Sequence, residues 1–158
     1  LKHFWSAIAV DRPRKVKNLE TNIATYAPEG DFTEEEKIQS LVDLTGQFPL
    51  NRVVKPETME KLTAMGIPPI SEYDRALQVA WLIPRKVVPK KTKNGKDYLI
   101  VEATDSNSVN IKIRCWGIDL RMGDNISVNK LYMIRPKHNE DWGFSTRGRT
   151  HRTWKLLD

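Results

Sequence analysis

The sequence predicts an α+β protein, with a helical segment over residues 1–75 followed by a small β-barrel over residues 76–158. Apolar residues recur at helical spacing in the first part and alternate with polar ones in the second. The second part holds five short strand-like stretches, with an irregular insert between the third and the fourth. That number and that insert match the five-stranded OB-fold β-barrel. Charge divides along the same line. Residues 1–83 hold 10 Lys and Arg against 12 Asp and Glu, a net −2, whereas residues 84–158 hold 16 against 8, a net +8.

In residues 1–27, Phe4, Ile8, Val16, Leu19, Ile23 and Tyr26 recur at helical spacing, interrupted at Asp11-Arg12-Pro13. Arg12, Arg14, Lys15 and Lys17 follow the break, either as a phosphate contact or as a solvated helix face. Thr33 and Glu36 have the spacing of a capping box, so Glu34-Glu35-Glu36 reads as helix-end chemistry rather than as catalytic carboxylates. Ile38, Leu41 and Val42 supply that helix's apolar stripe, and Gly46 stops it. A short helix is expected from Pro56 to Met65, proline being tolerated in a first turn. Met65-Gly66-Ile67 after it reads as a glycine stop, or as a faint helix-hairpin-helix whose backbone would approach phosphate.

The first strand is expected from Leu77 to Ile83, ending at Pro84. A hairpin over residues 87–117 organises the rest. Asn94-Gly95 supplies its turn, since both residues tolerate positive φ. Leu99, Val101 and Ala103 then share one face, opposite Tyr98, Ile100, Glu102 and Thr104. In the next strand Val109, Ile111, Ile113 and Cys115 oppose Asn110, Lys112, Arg114 and Trp116. Leu131 to Arg135 is the fourth strand, and residues 142–145 and 152–157 form a fifth that splits at Gly148. Asp97, Asp105 and Asp119 read as isolated turn residues.

The composition bounds the chemistry. No apolar run has membrane-spanning length and no signal-peptide pattern opens the chain, so a cytoplasmic protein is expected. Leu1 in place of Met reads as a piece cut from a longer protein. One cysteine excludes an internal disulfide, and with His3, His138 and His151 it has no zinc spacing. No nucleophile–base order, phosphate-cradling glycine loop or carboxylate triad appears, so no catalytic residue, metal or cofactor is expected in this segment.

Cations and rings pair repeatedly in the second half. An OB barrel binds its ligand across strands 2 and 3, between the loop joining strands 1 and 2 and the loop joining 4 and 5. Those loops map to residues 89–96 and 136–152. The expected nucleic-acid contacts are Lys90, Lys91, Lys93, Lys96, Tyr98, Lys112, Arg114, Trp116, Arg135, Lys137, Trp142, Arg147 and Arg149. Cations would track phosphates and rings would stack on bases, the chemistry of single-strand binding. The plain alternative is an amphipathic hairpin with solvated charges. Trp81 and Trp154 are expected in the core.

A family resemblance rests on particular motifs. Glu34-Glu35-Glu36-Lys37 with Thr45-Gly46-Gln47-Phe48-Pro49-Leu50 resembles the stretch after the fingers of the C-family replicative DNA polymerases, the DNA polymerase III alpha subunits. Thr92-Lys93-Asn94-Gly95-Lys96 and Asp105 resemble the opening of the OB domain that follows in that family. The stretch from Phe4-Trp5 to Leu19 looks like the helical tail of the fingers, and Trp142-Gly143-Phe144-Ser145-Thr146-Arg147 looks like phage-type members. Cys115-Trp116-Gly117 departs from the apolar strand ending usual there. The resemblance implies a C-terminal region of a DNA-directed DNA polymerase, a nucleotidyltransferase whose catalytic palm lies elsewhere. Its OB domain would hold single-stranded template DNA. Its partners would be the remainder of the polymerase chain and other replisome proteins, with no membrane involved. Two other classes stay open: a stand-alone module for single-stranded DNA or RNA, and a protein-interaction barrel whose basic face meets an acidic partner.

Overall fold

The computed structural model describes Thr21, Thr25 and residues 32–157. The chain divides into two compact units, Leu1–Leu44 and Thr45–Asp158. In the first, Thr21 and Thr25 are helical. The rest of the helix expected over residues 1–27, with the Arg12–Lys17 cluster, lies outside the described residues. Helix α1, Glu34–Thr45, begins with the expected capping box. The Thr33 amide donates to the Glu36 carboxylate at 2.9 Å, and the Glu36 amide donates back to Thr33 Oγ1 at 3.3 Å.

The second unit opens with the helices α2, Leu50–Val53, and α3, Pro56–Ala64. Pro56 occupies the first turn of α3, where its missing amide hydrogen costs nothing. The amide of Ile67 donates to the Leu62 carbonyl at 3.0 Å, so Met65-Gly66-Ile67 serves as a helix stop. The connector then joins the sheet, with the Trp81 amide donating to the Pro68 carbonyl at 3.0 Å.

Seven strands follow: β1 Ala80–Lys91, β2 Asp97–Thr104, β3 Ile111–Trp116, β4 Leu131–Ile134, β5 Lys137–Asn139, β6 Gly143–Arg147 and β7 Trp154–Leu157. A one-turn helix α4, Thr150–Thr153, separates β6 from β7. The strands form one mixed, curled sheet in the order β5-β6-β3-β2-β1-β4-β7. Every pair is antiparallel except β3 with β6. Seven strands replace the expected five for two reasons. The fifth is interrupted by α4 after Gly148, and β5 arises from a hairpin with β6 that carries no alternation of its own.

Strand β1 corrects the expectation that Pro84 ends it. Ala80, Trp81 and Leu82 pair with β4, while β1 pairs with β2 from Ile83 to Lys91. Pro84 sits where the register shifts, before Lys86, so its missing donor falls at an irregularity. The loop between β1 and β2 is therefore Thr92–Lys96, shorter than residues 89–96. In its turn only Gly95 takes positive φ, +75°, with its amide donating to the Thr92 carbonyl, and Asn94 does not share that conformation. The expected second loop, residues 136–152, contains β5, β6 and the start of α4.

Alternation in the hairpin holds for the core face, although Thr104, expected opposite it, is buried as well. Leu99, Val101, Ala103, Ile113 and Cys115 are buried in one core with Leu82, Ile134 and Trp154, and burial of each large apolar side chain contributes about 1.5–3 kcal/mol. Trp81 is buried as expected. The indole Nε1 of Trp154 donates to Thr146 Oγ1 at 3.1 Å, tying β7 to β6 inside the unit. Asp105 is no isolated turn residue. It is fully buried and accepts the amides of Ser71 and Asn107, each at 2.8 Å, fastening the connector to the end of β2. Asp119 likewise has a structural task, capping the 3-10 turn Leu120–Met122 through the amides of Arg121 and Met122.

Candidate nucleic-acid interface

The same alternation that buries one face of β1, β2 and β3 turns a set of cations and rings outward. Register aligns them in rows across the strands. Lys90 pairs with Tyr98, Trp116 pairs with Arg147, and Tyr98 stacks on Trp116 between them. The next outward row is Val88, Ile100, Arg114 and Ser145, with Lys137 of β5 opposite Ser145. The third is Lys86, Glu102 and Lys112. At these positions Glu102 is the lone acid among Lys86, Lys90, Lys112, Arg114, Lys137 and Arg147. Lys112 Nζ lies 3.7 Å from the Glu102 carboxylate, and its exposure limits the pair to about 0–1 kcal/mol. Most of the face's charge is thus left for a ligand.

The rings stand at two places. Tyr98 and Trp116 stack with centroids 4.6 Å apart and planes 22° apart. Each ring covers one side of the other, so the pair is one stacking platform rather than two. Trp142 stands on the turn between β5 and β6 and is 70% exposed. Arg114 donates to the Trp142 carbonyl, and its guanidinium carbon lies 6.0 Å from the Trp142 ring centroid. The arginine therefore joins the centre of the sheet face to this second ring.

Other expected contacts sit apart from the rows. Lys91 is 3.8 Å from Asp97, and Lys93 and Lys96 are exposed on the β1–β2 turn. Arg135 is exposed just beyond β4, outside the three rows. Arg149 is held inward. Its Nε donates to the Asp124 carboxylate, which also accepts the Asp119 amide at 2.7 Å and the Thr150 hydroxyl at 2.9 Å. Burial pushes the Asp124 carboxyl up, but the hydrogen bonds from Asp119, Thr150 and Arg149 outweigh it and hold the group below its ordinary value. The guanidinium of Arg149 thus closes a corner of the fold. Cys115, on the core face, has its thiol pushed up to about 11 by burial, only partly offset by hydrogen bonds from Thr146 and Trp154. It is a packing residue.

Two cations outside the expected set join the surface. Lys86 follows from β1 continuing past Pro84, because it shares the outward face of Val88 and Lys90. Arg121 comes from the 3-10 turn, where no periodicity announces it.

Among the described residues no group of three or more His, Cys, Asp or Glu is placed to hold a metal ion, and no helix is long and apolar enough to cross a membrane. No known family model matches the chain, and no curated protein matches it at a significant level.

Proposed function

We propose that the Thr45–Asp158 unit is an OB-type module that binds single-stranded nucleic acid, and that it holds template DNA for a replicative polymerase of the C family. The carrying observation is the outward face of β1, β2 and β3, where cations in register surround one stacked aromatic pair. A stranded polyanion with flat bases fits that pattern, because cations track its phosphates whatever the sequence and aromatic faces accept any base. Duplex DNA would leave the rings without partners, since its bases are already stacked.

The barrel reading has its own support. If β6 and β7 are halves of one strand broken at Gly148, the pairings of β6 with β3, β3 with β2, β2 with β1, β1 with β4 and β4 with β7 run once around a barrel. The choice of polymerase over a stand-alone module rests on the motifs around Gly46-Gln47-Phe48-Pro49-Leu50 and Thr92-Lys93-Asn94-Gly95-Lys96. On this reading the unit does no chemistry of its own and keeps the strand extended for a catalytic centre elsewhere.

Fluorescence anisotropy of the chain with labelled single-stranded and duplex DNA across a salt series tests the proposal. Preferential single-strand binding that weakens steeply with salt is expected. Equal affinity for both forms, or no binding at low salt, would overturn it and turn the basic face toward an acidic protein partner.

A further inference from the structure

Beside the stacked pair, at the open end of the β1–β2 turn, lies a cavity of about 530 Å³. It falls within the usual range of small-molecule sites, about 300–1,000 Å³. Lys91, Lys96, Arg121 and Arg147 bring cations to its walls, and Trp116 brings a ring. Tyr98, which stacks on Trp116, is not itself among the walls. Of the cavity's two carboxylates only that of Asp119 is hydrogen-bonded. Asp119 accepts the amides of Arg121 and Met122, whereas Asp97 Oδ1 is buried without a hydrogen-bond partner and has its nearest cation, Lys91 Nζ, at 3.8 Å. Four cations against two carboxylates leave the walls with an excess of positive charge, beside one aromatic residue. Trp116 and Gly117 in the cavity wall are held to the start of the next segment, where the Gly148 amide donates to the Trp116 carbonyl at 2.8 Å.

We infer that this cavity is a discrete subsite for one nucleotide, with the base against Trp116 and the phosphate among Lys96, Arg121 and Arg147. The inference rests on the single-strand reading and adds to it that one unit of the strand is gripped as a whole. The outward rows further along β2 and β3 line a second, smaller cavity of about 370 Å³, where Lys86, Lys90, Lys112 and Arg114 bring cations but no ring stands for a base. A deoxynucleoside 5′-monophosphate is therefore expected to bind without the rest of the strand. Its phosphate supplies the charge, and its base distinguishes it from inorganic phosphate.

The experiment titrates the 158-residue chain with a deoxynucleoside 5′-monophosphate, the matching nucleoside and inorganic phosphate, and follows the indole N–H signal of Trp116 by NMR. A labelled single-stranded oligonucleotide serves as competitor. The monophosphate should shift the Trp116 signal, be displaced by the oligonucleotide, and bind more tightly than either the nucleoside or inorganic phosphate. Combining Lys96→Ala with Arg147→Ala should weaken it by at least about tenfold, the scale of removing even one charge-assisted hydrogen bond. Lys112→Ala, outside the cavity, should leave it unchanged while weakening the oligonucleotide. If the oligonucleotide binds and the monophosphate does not, the subsite is wrong and the strand reading stands. Inorganic phosphate binding as tightly as the nucleotide would also overturn the subsite. If neither the monophosphate nor the oligonucleotide binds, both readings fall together.

Discussion

Tyr98 and Trp116 face each other across β2 and β3 with their rings stacked, centroids 4.6 Å apart. They sit between Lys90 on one side and Arg147 on the other, in a single row of the sheet. A ring already stacked on a neighbour is held in place before any base arrives. Less side-chain freedom is then given up on binding.

That arrangement separates two substitutions. Trp116→Ala removes the ring that borders the cavity and should weaken single-strand binding by about 1–3 kcal/mol, roughly 5- to 150-fold. Tyr98→Ala leaves Trp116 in place but unsupported, and should cost less. Anisotropy titrations at one fixed salt concentration compare them. If Tyr98→Ala proved the more damaging, the platform would be assigned to the wrong ring.

Lys112 and Arg114 occupy neighbouring outward rows and should act on phosphates. Replacing both with alanine should flatten the logarithmic dependence of affinity on salt by about 1.4, since each single-strand phosphate that a side chain neutralises adds about 0.7 to that slope. Unchanged slope with unchanged affinity would remove both residues from the interface. Arg114→Lys is a finer probe, because lysine keeps the charge but has no planar group to lie over Trp142.

Asp124 should give the fold a distinct acid sensitivity. Its folded carboxyl titrates below its ordinary value of 3.8, so the unfolded chain takes up a proton first as the pH falls. The stabilisation is therefore complete above about pH 5 and lost progressively through pH 4 and below. Asp124→Asn should remove that part of the pH dependence. By leaving Arg149 without its anion, it should also cost about 3 kcal/mol at neutral pH. Urea unfolding between pH 3 and 7 reads both effects, and parallel curves for the two proteins would contradict the assignment.

Gly117 should resist replacement. Its φ is +70°, and a β-carbon there would lie 3.2 Å from the Gly148 amide nitrogen. The backbone conformation alone costs an L-residue about 1–2 kcal/mol. Thermal unfolding of Gly117→Ala should show at least that loss. Gly95→Ala has similar φ but open space around it, and should cost less.

What the sequence announced and what it concealed follow from the range of the interactions. Leu99, Val101 and Ala103 alternate with polar neighbours, and a period of two is a local signal. Their burial, and the outward cations beside them, were legible for that reason. Pro84 looked like a terminus because a proline lacks an amide hydrogen, yet its fate was decided by β1 changing partners at that point. Lys137, His138 and Asn139 are all exposed, so β5 has no apolar stripe to betray it. Arg149 looked like its cationic neighbours. Nothing local distinguished it, because its partner, Asp124, lies 25 residues away in the chain.

The partner change within β1 also sets an order of assembly. Its pairing with β2 closes a loop of five residues, Thr92–Lys96, whereas its pairing with β4 brings Leu82 to Tyr132. The second closure spans about ten times more chain, and the entropy of closing a loop grows with the logarithm of its length, here by about 2 kcal/mol. The hairpin that presents the cations and rings should therefore form early in folding, with β4 docking after it. Nascent chain could then carry a partly formed binding surface before its core is sealed. Pulse-labelled hydrogen exchange, comparing the amides of Val101 and Tyr132, would read that order directly.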